Sequence, residues 1–266
     1  MRHYMRMCSL TIIIALLGLT LTPSASAVSS AIEQQVLAGE WDKLYTSLAQ
    51  DSATLEDPIA AHLLAIACQA TNRNHEIKLV ARTIRSEGEK ELWKNWTLSF
   101  LNRNTGNPYA LFLAGDAASR LADTAGTETI SYYSRAIEKK EDFPLALNAR
   151  GLAYYLHGRK TEALTEYNRA LQVDPGFADA LQNRGIYYYD NAEYQKAYDD
   201  FTMALRIDST YAMALANRAK TCYFLKDFDQ GLEDVAAARK LKHFVHPDLV
   251  DALRQAAGRR VVPPPE

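Results

Sequence analysis

A single step of 34 residues governs the second half of this 266-residue chain. Gly151, Gly185 and Ala219 are separated by that step, as are Leu147, Leu181 and Leu215. The same interval links Ala163 to Ala197 and Gly231, Tyr167 to Phe201 and Val235, and Ala170 to Ala204 and Ala238. Pro175, Ser209 and His243 close the three units. A period of this length means a supersecondary unit that cannot bury its apolar face alone, so successive units must stack. Small residues on the ladder let helices approach closely, and the aromatics fill the space between them. Only 12 Gly and 9 Pro punctuate the chain, which leaves room for long uninterrupted elements. Gly158 and Asn191 mark turns inside pairs, and Asp174-Pro175 breaks the chain between units.

Numbered from Pro144, one unit supplies Leu147, Gly151, Tyr154, Ala163, Tyr167, Ala170 and Pro175. This order of small and aromatic residues resembles the tetratricopeptide repeat. Units 144–177, 178–211 and 212–245 carry the resemblance. The last is weaker, with Cys222, Gly231 and Val235 at positions where the pattern has an aromatic, Ala and an aromatic. One period earlier, residues 110–143 form a decayed unit in which Leu113, Ala117, Tyr133 and Ala136 keep the register and Arg120 and Thr129 depart from it. The resemblance implies an all-α fold, a right-handed superhelical solenoid of antiparallel helix pairs with a concave groove. It also implies that first-helix residues line the groove. Here these are Asn148, Leu152 and Tyr155, then Asp179, Gln182, Asn183, Ile186, Tyr189 and Asp190, then Met213, Asn217, Lys220 and Tyr223. Amides can pair with the backbone of an extended peptide, and tyrosines add area with a polar tip. A cationic clamp for a terminal carboxylate is not supported, because Asn148, Met213 and Asn217 stand at its positions.

The flanks are helical in pattern without the 34-residue register. Arg2 and Arg6, an apolar run from Leu10 to Leu21 and Ala25-Ser26-Ala27 read as a secretory signal peptide over 1–27, cleaved after Ala27. The expected location is therefore secreted or periplasmic, with no stable membrane span after cleavage; an uncleaved anchor is the alternative. Within 28–109, helices are expected around Gly39, from Pro58 through Ala67, over Ile77–Ile84 and from Glu89 to Leu101, as degenerate repeats or a cap. Pro247 opens a capping helix over 246–258, and 259–266 is a Pro-rich tail. Cys68 and Cys222 read as two separate buried thiols.

The chemistry points to binding. The net charge of −2 and the lack of a basic patch argue against nucleic acid as a partner. No nucleophile elbow, phosphate loop, dinucleotide fingerprint or zinc motif is present, so no catalytic residue, metal or cofactor is expected. His243 and His246 lack a third ligand nearby. The acids at 199–200 and 233–234 recur with the repeat, as do Arg150, Arg184 and Arg218. Each arginine is expected to pair with Glu166, Asp200 or Asp234 as part of the scaffold. The sequence points to an exported scaffold that binds protein or peptide partners, with cell-envelope assembly as a setting. Two alternatives stay open, a self-assembling repeat protein and an enzyme with its site in 28–109.

Overall fold

The structure is a computed structural model, and it describes residues 28–50, 57–72, 87–120 and 126–258. Those residues form thirteen helices and no strand. In order they are α1 (Ser30–Ala38), α2 (Trp41–Ala49), α3 (Pro58–Ala70), α4 (Glu87–Arg103), α5 (Pro108–Arg120), α6 (Thr127–Lys139) and α7 (Pro144–Leu156). Then follow α8 (Lys160–Val173), α9 (Ala178–Asp190), α10 (Tyr194–Ile207), α11 (Ala212–Leu225), α12 (Phe228–Lys240) and α13 (Pro247–Gly258). The leader, the tail and the helix expected at 77–84 lie outside the described residues. No described helix is long and apolar enough to cross a membrane.

From α7 to α12 the helices form three hairpins, and the second helix of each packs on the first helix of the next. The hairpins close because a glycine faces an aromatic ring. A Cβ on Gly151 would lie 2.7 Å from Tyr167, and one on Gly185 would lie 2.6 Å from Phe201. The third hairpin trades bulk across the same contact, with Ala219 where the glycine was and Val235 where the ring was, both buried. What reads as decay in sequence is a volume-conserving exchange. The hairpin turns share one left-handed residue at the 34-residue step: Gly158, Ala192 and Lys226, with φ of 77°, 59° and 61°. In the second unit the turn is therefore made at Ala192, one residue past Asn191.

Gly231 has its own explanation. A Cβ there would lie 2.8 Å from Leu253, whose buried side chain α13 lays over the last hairpin. The departure from alanine makes room for the helix that covers the end of the stack, where an apolar face would otherwise meet water.

The first pair, α5 and α6, is shifted. Pro108 to Pro144 and Gly115 to Gly151 are both steps of 36 residues, whereas Tyr133 to Tyr167 remains a step of 34. The glycine facing Tyr133 is Gly115, with a 2.6 Å approach to its absent Cβ. The first helix therefore starts two residues before the position that the 34-residue register gives. The extra residues fall in the connection between Arg120 and Thr127, which is longer than the three-residue turn between α7 and α8.

The N-terminal helices share one continuous apolar core with the hairpins. In α3, Ala60, Ala61, Leu63, Leu64, Ile66, Ala67 and Cys68 are all buried, as expected of a helix apolar around its whole circumference. Asp57 caps it, accepting hydrogen bonds from the Ile59 and Ala60 amides at 2.8 and 2.9 Å. On α4, Trp93, Trp96 and Phe100 stack with centroids 5.4 and 5.0 Å apart. Cys68 and Cys222 are both buried and are not joined in a disulfide.

Candidate binding groove

Behind the groove, the three arginines make the pairs expected from the repeat. Arg184 donates from Nε and Nη2 to Asp200 at 2.8 and 2.7 Å, and Arg218 reaches Asp234 at the same two distances. Arg150 holds Glu166 at 2.8 Å. Each arginine also donates its third group to the preceding hairpin: to Ser134 at 3.0 Å, Asn168 at 2.8 Å and Thr202 at 3.1 Å. These three acceptors lie on their own 34-residue step. The pairs are mostly buried, so they lock helix to helix and hairpin to hairpin rather than decorate a surface. The first pair lacks both partners together. At the shifted register Ala114 replaces the arginine and Tyr132 replaces the acid.

The groove face itself is uneven. Asn183 donates from Nδ2 to Asn148 Oδ1 at 2.9 Å, joining neighbouring first helices, and Lys220 donates to Asn217 at 3.2 Å. The Tyr155 hydroxyl donates to Asp190. Leu152, Met213 and Tyr223 are exposed, and Ile186 and Tyr189 are half-buried. Two expected contact residues are largely covered. Gln182 is 1% exposed, with both amide atoms buried and without a hydrogen-bond partner. Asp179 is buried as well and accepts a 2.7 Å hydrogen bond from the Tyr211 hydroxyl. The cause is that the next first helix begins against them, with Tyr211 closing over the start of α9. Beside the expected residues, Leu156 and Phe224 are exposed, and Phe224 stacks on Tyr194 at 4.4 Å.

The head of the groove is lined partly by the N-terminal region. Asn72, left-handed at φ 56°, follows the end of α3 and stands beside α9. Its Nδ2 donates to the Gly176 carbonyl at 3.0 Å, and its Oδ1 accepts from the Ala178 amide at 3.0 Å. It thereby caps α9 from a distant part of the chain, at a helix start where Phe177 offers no side-chain acceptor. Between α3, α5, α6, α7 and the start of α9 lies a cleft of about 330 Å³. Gln69, Asp116, Arg120, Asn148, Leu152 and Asp179 are among its walls.

Residues 144–177 match the tetratricopeptide repeat family. The matched hairpin is one of three built alike along the stack, so the fold is a solenoid of tetratricopeptide-repeat type. The crystal structure of MamA superposes with a TM-score of 0.50 at 16% identity, over 59% of this chain and 90% of that one. The RS-1 ArsTM double mutant of MamA does so with a TM-score of 0.50 at 15% identity, over 65% and 94% of the two chains. Both likenesses are of fold. No curated protein matches the chain in sequence.

One polar cluster has no counterpart in the repeat pattern. Asp116 stands 36 residues before Leu152, a groove residue, yet it serves the N-terminal helices. Its Oδ2 bonds His62 Nε2 at 2.6 Å and accepts from Trp93 Nε1 at 3.1 Å and Arg120 Nε at 3.0 Å. Burial would raise the Asp116 carboxyl, but Arg120 and the His62 hydrogen bond outweigh it and hold the group well below the usual carboxylate range. Burial lowers His62, which stays neutral and donates. The pair has the composition of an acid–base dyad, but His62 is 3% exposed and its ring lies 4.1 Å from Trp93. It ties α3 and α4 to α5. Neither this cluster nor Asn72 stands among the residues expected from the sequence to form a site. The one signal was a polar His and Asp set among otherwise apolar helix faces.

Proposed function

We propose that this protein is an exported scaffold that holds an extended segment of a protein partner in the groove along α7, α9 and α11. One observation carries the reading: amides and apolar side chains alternate along consecutive first helices. Asn148, Asn183 and Asn217 supply backbone-pairing groups, and Leu152, Met213 and Tyr223 supply exposed contact area. Amides suit this role because each offers donors and an acceptor to a peptide backbone of any sequence. Export rests on the basic start, apolar run and small-residue cleavage pattern of residues 1–27. Cell-envelope assembly is the setting that such an address suggests. A scaffold role, rather than catalysis, fits the repeated hairpins and the burial of His62, whose Nε2 is held by Asp116 and whose ring lies against Trp93.

The test is affinity capture from the envelope fraction with the full chain, comparing the wild type with an Asn183→Ala, Asn217→Ala double variant. The variant should lose the partner while keeping its helicity and melting temperature within a few degrees. Equal recovery by both would refute the groove assignment. Recovery of the mature chain with Met1–Ala27 still attached would refute cleavage.

A further inference from the structure

The cleft at the head of the groove carries a charge that its own walls leave unanswered. Arg120 and Asp116 neutralise each other at 3.0 Å, and His62 is neutral. Asp179 lines the same cleft while 93% of its surface is covered, since it is 7% exposed. Its hydrogen bond comes from the Tyr211 hydroxyl to Oδ1. No lysine, arginine or histidine pairs with it among the described residues, and the charge that acts on it is that of Asp208, of the same sign. A buried carboxylate without a cation is costly, and an incoming cation removes that cost. Leu145, Leu152, Leu156 and Phe177 form apolar walls of the cleft, and the exposure of Leu152 and Leu156 marks its open side.

We propose that this cleft receives a lysine side chain of the partner peptide, with the ammonium against Asp179 and the methylene stem along Leu145, Leu152 and Phe177. The inference rests on the groove reading above and names the side-chain class that the groove selects. Lysine fits better than arginine because Tyr211 already occupies Oδ1. A guanidinium binds best by a two-pronged contact to both carboxylate oxygens, whereas an ammonium needs only one of them. The remaining ammonium donors meet the Gln69 amide oxygen and the second lone pair of Asn148 Oδ1, whose first accepts from Asn183, and the stem lies on apolar surface, as lysine stems commonly do. The cleft volume of about 330 Å³ accommodates a single long side chain.

Burial pushes the Asp179 carboxyl up to about 6, which predicts the pH response. Facing it are Tyr211 at the start of α11, Asp208 at the end of α10, and Asp116 and Arg120 of α5 with Tyr133 of α6 across the cleft. From α3 and α7 it faces the neutral amides of Gln69 and Asn148. The full chain is titrated with Nα-acetyl-lysine methylamide, and with the norleucine and glutamate analogues, while the side-chain amide signals of Gln69 and Asn148 are followed by NMR. The lysine probe should shift both signals and bind at least about tenfold more tightly than norleucine at pH 7.5. Its affinity should fall about tenfold by pH 5, as Asp179 takes up a proton. Asp179→Asn should abolish the preference for lysine over norleucine and the pH response, while circular dichroism shows the fold intact. Equal binding of lysine and norleucine, preferential binding of glutamate, or lysine selectivity retained in Asp179→Asn would each overturn the proposal. The two readings separate cleanly. The Asn183→Ala, Asn217→Ala variant changes no residue that lines the cleft and frees Asn148 Oδ1 for the ammonium, so unchanged lysine binding with unchanged partner capture would sink the groove reading alone.

Discussion

In the hairpins from α7 to α12, each first helix carries an arginine bound to an acid of its own hairpin and to a hydroxyl or amide of the preceding one. Across α3 to α6 that device is missing at both ends, and a single aspartate gathers His62, Trp93 and Arg120 instead. The regular region distributes its polar fastening over identical joints, each needed only by its neighbours. The N-terminal region concentrates it at one point, because α3 and α4 do not carry the 34-residue register and so lack the repeated joint. The stacked hairpins should accordingly fail gradually, one interface at a time, as a nearest-neighbour array does. The N-terminal region should fail at once when its hub is lost.

The largest effect should come from the hub. Asp116→Ala leaves His62, the Trp93 indole and Arg120 without their acceptor, and should cost about 3–5 kcal/mol. Hydrogen exchange should show the amides of α3 and α4 losing protection while those of α9 to α12 keep theirs. Uniform loss across the chain would erase the contrast. Next, Arg184→Ala removes a two-pronged bond to a buried acid and the bridge to Asn168. A cost of about 2–3 kcal/mol in denaturant titration is expected. A drop below about 0.5 kcal/mol would mean that the joints behave as surface ion pairs.

A smaller effect sharpens the account of the close approach. Gly185→Ala should cost about 1–3 kcal/mol by pressing on Phe201, and less in a Phe201→Val background, where the pair becomes the one that the third hairpin uses. Additive costs would show that Ala219 and Val235 are not a matched exchange. Asp179→Asn should stabilise the chain at pH 7.5 relative to pH 5. The sign follows from its raised carboxyl: the folded state prefers the proton, so the penalty builds as pH rises from the unfolded value to about 6, is complete above that, and is relieved as pH falls back toward the unfolded value. Thermal melts at the two pH values check this. Smallest of all, Ala192→Gly should stabilise by roughly 0.5–1 kcal/mol, because φ of 59° suits glycine and strains alanine. Lys226→Gly should do the same at the matching turn.

The comparison also explains what was legible. Arg184 and Asp200 could be paired from sequence because their partners recur at the same step, which leaves one geometry that serves every hairpin. Ser134, Asn168 and Thr202 follow that step too, but their residue types vary, so the step alone did not reveal them. The start of α5 was misplaced by two residues for a definite reason. The helix pair keeps the 34-residue register in its second helix and breaks it in its first, with the change absorbed in the connection between them. Of the expected groove residues, Asn148, Asn183 and Asn217 stand on consecutive first helices, and Asn148 is hydrogen-bonded to Asn183. Asp179 and Gln182 are covered, because the family pattern assigns a face and says nothing about how tightly the next helix closes over it.

From the sequence alone came the stacked helix hairpins, since a constraint repeated every 34 residues is tested several times over and only close helix packing satisfies small and aromatic ladders together. Only the tertiary structure decided the fold-back of the N-terminal helices, the cap that Asn72 places on α9 from 106 residues away, and the His62–Asp116 contact across 54. Each of those contacts occurs once, between segments with no common period. A pattern can announce an interaction that repeats, whereas one made a single time is settled by which surfaces remain to be buried when the repeats have packed.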